Sequence, residues 1–203
     1  MVKIAAMTKG RLEAFSDGVI AILITIMVLD LRPPEDVSLM ALLPLWPVFL
    51  SYLLSFVFVG IYWNNHHHLM QAAESVDGKI LWANTHLLFW LSLVPFATAW
   101  MGEHHFAPAP VALYGFLLLA LACAYYILTL ALLARHGRQS TLAKALGHDG
   151  KGKISIVIYI VGIMVACRWP ALACGIYAAV AAMWLVPDRR IERAMDRAPH
   201  GAD

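Results

Sequence analysis

The chain has 203 residues, 61% of them hydrophobic and only 14% charged, with a mean hydropathy of +0.70 and a formal net charge of +2. Soluble domains run near half apolar and a quarter charged, so this composition excludes a soluble catalytic domain and predicts an all-α membrane protein. The partner it demands is a lipid bilayer, and the small positive balance gives no reason to expect a nucleic acid.

Crossing about 30 Å of hydrocarbon takes roughly 20 apolar residues in a helix. Six runs reach or approach that length, and they predict transmembrane helices over about 12–31, 44–69, 80–102, 109–134, 152–168 and 170–186. Together they make one transmembrane domain, 1–187, followed by a polar, basic tail, 188–203. The first run is long, contains Asp17 and lacks a small-residue cleavage site, unlike a signal peptide. A membrane barrel would show alternating segments of about ten residues, whereas these runs are longer and continuously apolar. Pro33-Pro34 closes the first helix, and Pro44 and Pro47 open the second. Asp77-Gly78 marks the turn before the third, Pro108 and Pro110 precede the fourth, and Pro170 starts the sixth. The last two runs are the shortest. They have no charged residue in their interiors and are rich in small residues such as Gly162, Ala166 and Ala173. Small residues let helices approach closely in lipid, so these two read as scaffold or subunit-packing helices. Cys123, Cys167 and Cys174 all fall inside apolar runs and read as small core residues.

Six spans put both termini on one side. Of the 15 lysines and arginines, all but Arg32 and Arg168 then fall on that side as well. Cytoplasmic loops carry the positive excess, so both termini are predicted to be cytoplasmic.

The polar residues gather in one layer at the cytoplasmic end of helices 1 to 3. Helix 1 begins with Arg11, Ser16 and Asp17; helix 2 ends Asn64-Asn65-His66-His67-His68; helix 3 begins with Asn84 and His86. Alternating helix directions bring the three groups to one depth. An Asp inside a span is costly unless something donates to it, and a histidine, Ser16 or Arg11 could do so. Three readings compete: a structural hydrogen-bond network, a proton or pH-sensing site, and metal or haem ligation. Three adjacent histidines point in three directions around a helix, which is poor geometry for one metal. No GxSxG, P-loop or Gly-rich dinucleotide fingerprint occurs, so no enzyme is expected and no cofactor is implied.

Helix 1 carries a second pattern. At about 100° per residue, Ile22, Ile26 and Leu29 fall within an arc of about 60°, with Thr25 at their border and Asp17 about 140° away from Ile22. Such a stripe suits a lipid-facing or packing surface. Repeated around an axis, it would line a narrow apolar pore of the kind that gates by dewetting.

The segment Arg11-Leu12-Glu13-Ala14-Phe15-Ser16-Asp17, with the AI-x-x-T pattern from Ala21 to Thr25, resembles the RxxxFSD signature that opens helix 1 in the transmembrane protein 175 family of potassium channels. Asn-x-His at the end of helix 2, Val94-Pro95-Phe96-x-Thr98-Ala99, and the six-helix length agree with it. The resemblance implies a homotetramer in the cell membrane with a pore lined by helix 1. It places the constriction on Ile22, Ile26 and Leu29 and selectivity on Thr25. The structural network it implies joins Arg11 and Asp17 to one of His66, His67 or His68; Ser16, Asn84 and His86, in the same polar layer, read as its further members. The permeant ion would be potassium, and the chain carries no TVGYG-like filter. The runner-up reading is a proton- or cation-coupled secondary transporter using the Asp17–His layer. Such a protein would show inverted repeats and broken helices near the midplane, and only Pro95 hints at a break.

Overall fold

A computed structural model describes residues 8–137, 140 and 150–185; the tail 188–203 lies outside the described residues. Among them there are helices and no strand. They are α1 (Lys9–Leu29), a 3-10 helix (Leu39–Leu45), α2 (Trp46–Gln71), α3 (Gly78–Ser92), α4 (Val94–Glu103), α5 (Pro108–His136), α6 (Gly150–Ala166) and α7 (Pro170–Leu185). With α3 and α4 taken as one broken rod, these are the six predicted helices. Four rods, 9–29, 39–71, 78–103 and 108–136, are long and apolar enough to cross a membrane. With 17 and 16 residues, α6 and α7 rise only about 24–26 Å.

Prolines and caps set the boundaries. Pro47, Pro95 and Pro108 each sit in the first turn of their helix, where a missing N–H costs nothing. Pro44 belongs to the 3-10 helix, not to α2. Asp77 caps α3 by accepting from the Ile80 N–H at 3.0 Å. The break at Leu93 also departs from the prediction, which ran one helix over 80–102. Pro95 has no N–H to offer the carbonyl four residues back, and Leu93 takes φ −89° and ψ −8° as the end of α3 and the start of α4.

The core runs through the bundle, with Leu12, Ile20, Leu23 and Met27 of α1, Phe58 and Val59 of α2, and Leu118, Leu121 and Leu128 of α5 all buried. Its tightest point is Tyr177 of α7, fully buried and lying against the backbone of Gly115 and Gly162. Any Cβ at either glycine would collide with that ring. A buried hydroxyl chain ties α2, α4 and α5. The Thr98 hydroxyl donates to Ser55 Oγ at 2.6 Å or to the Val94 carbonyl at 2.7 Å, and Ser55 Oγ lies 2.9 Å from the Tyr114 hydroxyl.

The turn after α4 follows a Schellman pattern. The Phe106 N–H donates to Met101 O at 3.0 Å and the His105 N–H to Gly102 O at 3.1 Å. It uses His105 at φ 51° where glycine is usual, and seats Phe106 on Trp46 with ring centroids 5.9 Å apart.

Candidate functional site: a polar ladder and an outward stripe on α1

Each turn of α1 divides between two faces. Leu12, Ser16, Ile20, Leu23 and Met27, spaced by three or four residues, are buried against the bundle. On the far side Ile22 is 57% exposed, Ile26 43% and Leu29 75%. Thr25 is exposed beside them, its hydroxyl donating to its own helix at Ile22 O, 2.8 Å. That bond uses the hydroxyl proton and leaves the oxygen lone pairs facing outward.

The N-terminal end of α1 is held to α2 by a three-rung ladder. Lys9, Glu13 and Asp17 recur every four residues, and so do Trp63, His67 and Gln71 on the antiparallel α2. The Trp63 indole N–H donates to Asp17 Oδ1 at 3.0 Å. His67 Nδ1 lies 3.2 Å from Glu13 Oε1 and its Nε2 2.8 Å from Gln71 Nε2. Lys9 Nζ donates to Gln71 O at 3.2 Å. The Trp63 and His67 rings stack at 6.0 Å, joining two rungs.

Behind the ladder a fully buried chain crosses to α3. The Ser16 hydroxyl donates to Leu12 O at 2.9 Å, so it can only accept from Asn84 Nδ2, also at 2.9 Å. Asn84 then turns Oδ1 toward His66 Nε2 at 2.7 Å, and His66 must carry its proton on that nitrogen. His66 Nδ1 and His68 Nδ1 are buried with no hydrogen-bond partner among the described residues.

The residues expected to form one network therefore sort into groups. Ser16, Asn84 and His66 are joined directly. Asp17 takes its bond from Trp63 rather than from a histidine, Ser16 or Arg11, because the indole lies four residues before His67 on the face that meets α1. Arg11 is exposed, with no side-chain partner among the described residues. His67 reaches Glu13, and the His68 ring lies beside that of His67, with centroids 5.7 Å apart. His86 lies on the exposed side of α3, where its Nε2 accepts from Trp90 Nε1 at 2.9 Å. Trp63, Glu13 and Gln71 were not anticipated, although their spacing of four on each helix was the available signal. Among the described residues no group of three or more His, Cys, Asp or Glu is placed to hold a metal.

At the C-terminal end of α1, Asp30 follows the last helical residue. Burial, and then the negative charge of Glu103, push its pKa up, opposed by Arg32.

Residues 11–95 match the family described as "Endosomal/lysosomal potassium channel TMEM175". A protein of Chryseobacterium sp. (strain P1-3) named as a potassium channel is 54% identical over 189 residues, 93% of this chain and 98% of its own length. A Rattus norvegicus protein named "Endosomal/lysosomal proton channel TMEM175" is 44% identical over 77 residues, 32% of this chain and 15% of that one. The fold is similar to the crystal structure of a lysosomal potassium-selective channel TMEM175 homolog from Chamaesiphon minutus. The TM-score is 0.77 at 29% identity, covering 89% of this chain and 97% of the other. The near full-length identity to the first relative, on a chain with this fold and this α1, shows that the protein is a multi-pass membrane protein belonging to the TMEM175 family of potassium channels.

Proposed function

We propose that the protein is a potassium-permeable cation channel, assembled as a homotetramer, with four copies of α1 around the pore and both termini cytoplasmic. The observation that carries this reading is the division of α1. Its inner face is consumed by the subunit's own core and polar ladder. Its outer face presents Ile22, Thr25, Ile26 and Leu29, all exposed among the described residues. Four such faces on one axis make a constriction of branched side chains that excludes water until the pore widens. At its border the Thr25 oxygens, with their protons directed back into the helix, are oriented to meet a partly dehydrated cation. Basic residues crowd the end of the bundle that holds Lys9, Arg135 and Lys151, which supports a cytoplasmic location for that end.

The break at Leu93 supplies the specific observation for a coupled transporter, since transporters bind their ions at discontinuous helices. Here the helix resumes at once with Val94, and the nearby hydroxyls of Thr98, Ser55 and Tyr114 bond to one another. The test is ion flux in proteoliposomes with potassium, sodium and proton gradients imposed separately. Passive potassium flux without a second gradient is expected; flux that requires a second gradient would overturn the channel reading in favour of the transporter.

A further inference from the structure

Residues 72–77 join α2 to α3, and one side chain from α5 fastens that turn. His136 stands in the last turn of α5, half-buried. Its Nε2 accepts from the Glu74 N–H at 3.0 Å and from the Ser75 N–H at 3.1 Å. Its Nδ1 lies 2.9 Å from the Leu132 carbonyl on its own helix. A carbonyl only accepts, so Nδ1 carries the proton and Nε2 keeps its lone pair, which is the neutral ring in one tautomer. A second proton would turn Nε2 into a donor facing two donors, and both bonds would be lost. Histidine is the side chain that changes charge between about pH 5 and 8. The released turn binds one proton more than the fastened one, so falling pH favours release and rising pH favours the fastened form. The other titratable or charged side chains at this end are His68 on α2, Glu74 and Asp77 in the turn, Lys79 on α3, Arg135 on α5 and Lys151 on α6. None of them takes a ring nitrogen, because backbone groups hold both. Arg135 also reaches the turn, its Nε donating to Ser75 Oγ at 3.4 Å, a bond that protonation of the ring leaves in place. The turn joins two parts of the polar layer. Gln71 precedes it, its carbonyl accepting from Lys9 and its amide beside His67 in the ladder. Asp77 ends it and caps α3, the helix that carries Asn84.

We propose that His136 is a pH-operated latch. With a neutral ring it fastens the α2–α3 turn to α5. A proton on Nε2 frees the turn and slackens the hold on the N-terminal end of α1, so acid on that face of the membrane alters potassium flux. The effect on flux rests on the channel reading; the latch itself does not. The experiment is hydrogen–deuterium exchange of the full-length protein in detergent from about pH 8 to about pH 5, each amide referred to its unstructured rate at the same pH. Protection of the Glu74 and Ser75 amides is expected to fall as pH drops through the histidine range, by up to about tenfold per pH unit for one proton. The Ile80 N–H, bonded to the Asp77 carboxylate and not to an imidazole, should keep its protection. His136→Gln, whose amide oxygen accepts but does not titrate, should leave Glu74 and Ser75 with protection that does not vary with pH. The latch is overturned by flat Glu74 and Ser75 protection in wild type, by equal loss at Ile80, or by the same pH dependence in His136→Gln. Should that variant not fold, the wild-type series with its Ile80 control decides alone. In proteoliposomes, lowering the pH on the side that holds His136 is expected to change potassium flux through wild type and not through His136→Gln. Equal responses overturn the regulatory step. Absence of any potassium flux overturns the channel reading instead, and the amide result stands apart from it.

Discussion

Asn84 is the residue on which the buried chain turns, because its amide satisfies Ser16 on one side and His66 on the other. Asn84→Ala leaves both stranded in a dry layer, and an unmet buried polar group costs about 1–3 kcal/mol. A lower thermal midpoint and partial loss of the proposed tetramer on size-exclusion chromatography are expected. On the opposite face of α1 the consequences are electrical. Ile22→Asn brings an amide from each subunit to one level of the proposed constriction, so basal current in planar bilayers should rise. Thr25→Val keeps the shape but removes the hydroxyl, so potassium-over-sodium preference should shrink with little added leak. Both mutants matching wild type would remove α1 from the conduction path. Asp30 gives a pH signature. Its carboxyl titrates above the usual value, so the fold prefers it protonated and its ionisation costs stability above that pKa. Asp30→Asn should therefore raise the thermal midpoint at neutral pH, with the gain shrinking as pH falls through the carboxyl range.

At the scale of helices, the Gly115–Tyr177–Gly162 contact brings α5, α6 and α7 within one ring's thickness of each other. Gly162→Ala gains helix propensity but forces the Tyr177 ring to move, and overpacking costs about 1–3 kcal/mol. A net fall in thermal midpoint is expected, recovered by pairing Gly162→Ala with Tyr177→Leu. Helix positions were legible in the sequence because prolines, Asp77 and the charges stand at the ends of apolar runs. Pro95 hinted at a break, but the apolar run continues through it, so 80–102 read as one helix. The Ser55–Thr98–Tyr114 chain was not legible, because isolated hydroxyls in apolar runs reveal their partners only once helices are packed. Trp63 was missed for a related reason: an indole near a helix end reads as an interfacial aromatic until its N–H is seen to face a carboxylate.

At the scale of the whole molecule, the exposed stripe and the family resemblance bear on the same surface from different directions. One is a count of uncovered side chains and the other a shared motif. If four α1 helices surround an axis, a cysteine at Leu29 should meet its copies. Leu29→Cys, in a chain with Cys123, Cys167 and Cys174 replaced by Ala, is expected to form disulfide-linked dimers under mild oxidation in membranes. Val157→Cys on the exposed side of α6 should not. Equal cross-linking at the two positions would place α1 on the periphery.

The ladder between α1 and α2 has a mechanical side. Among the described residues, no side-chain hydrogen bond joins α1 to another helix beyond Asp17. Beyond that point, among the described residues, α1 is held by packing, with Leu23 and Met27 buried. The helix therefore resembles a cantilever, fixed by polar bonds at its N-terminal end and by packing alone at its C-terminal one. Twelve residues separate Asp17 from Leu29, about 18 Å of helix, so a tilt of about 5° at the clamp swings Leu29 by roughly 1.5 Å and Ile22 by less than half of that. Lever-arm length alone then ranks the levels of the stripe, with Leu29 displaced furthest and Ile22 least.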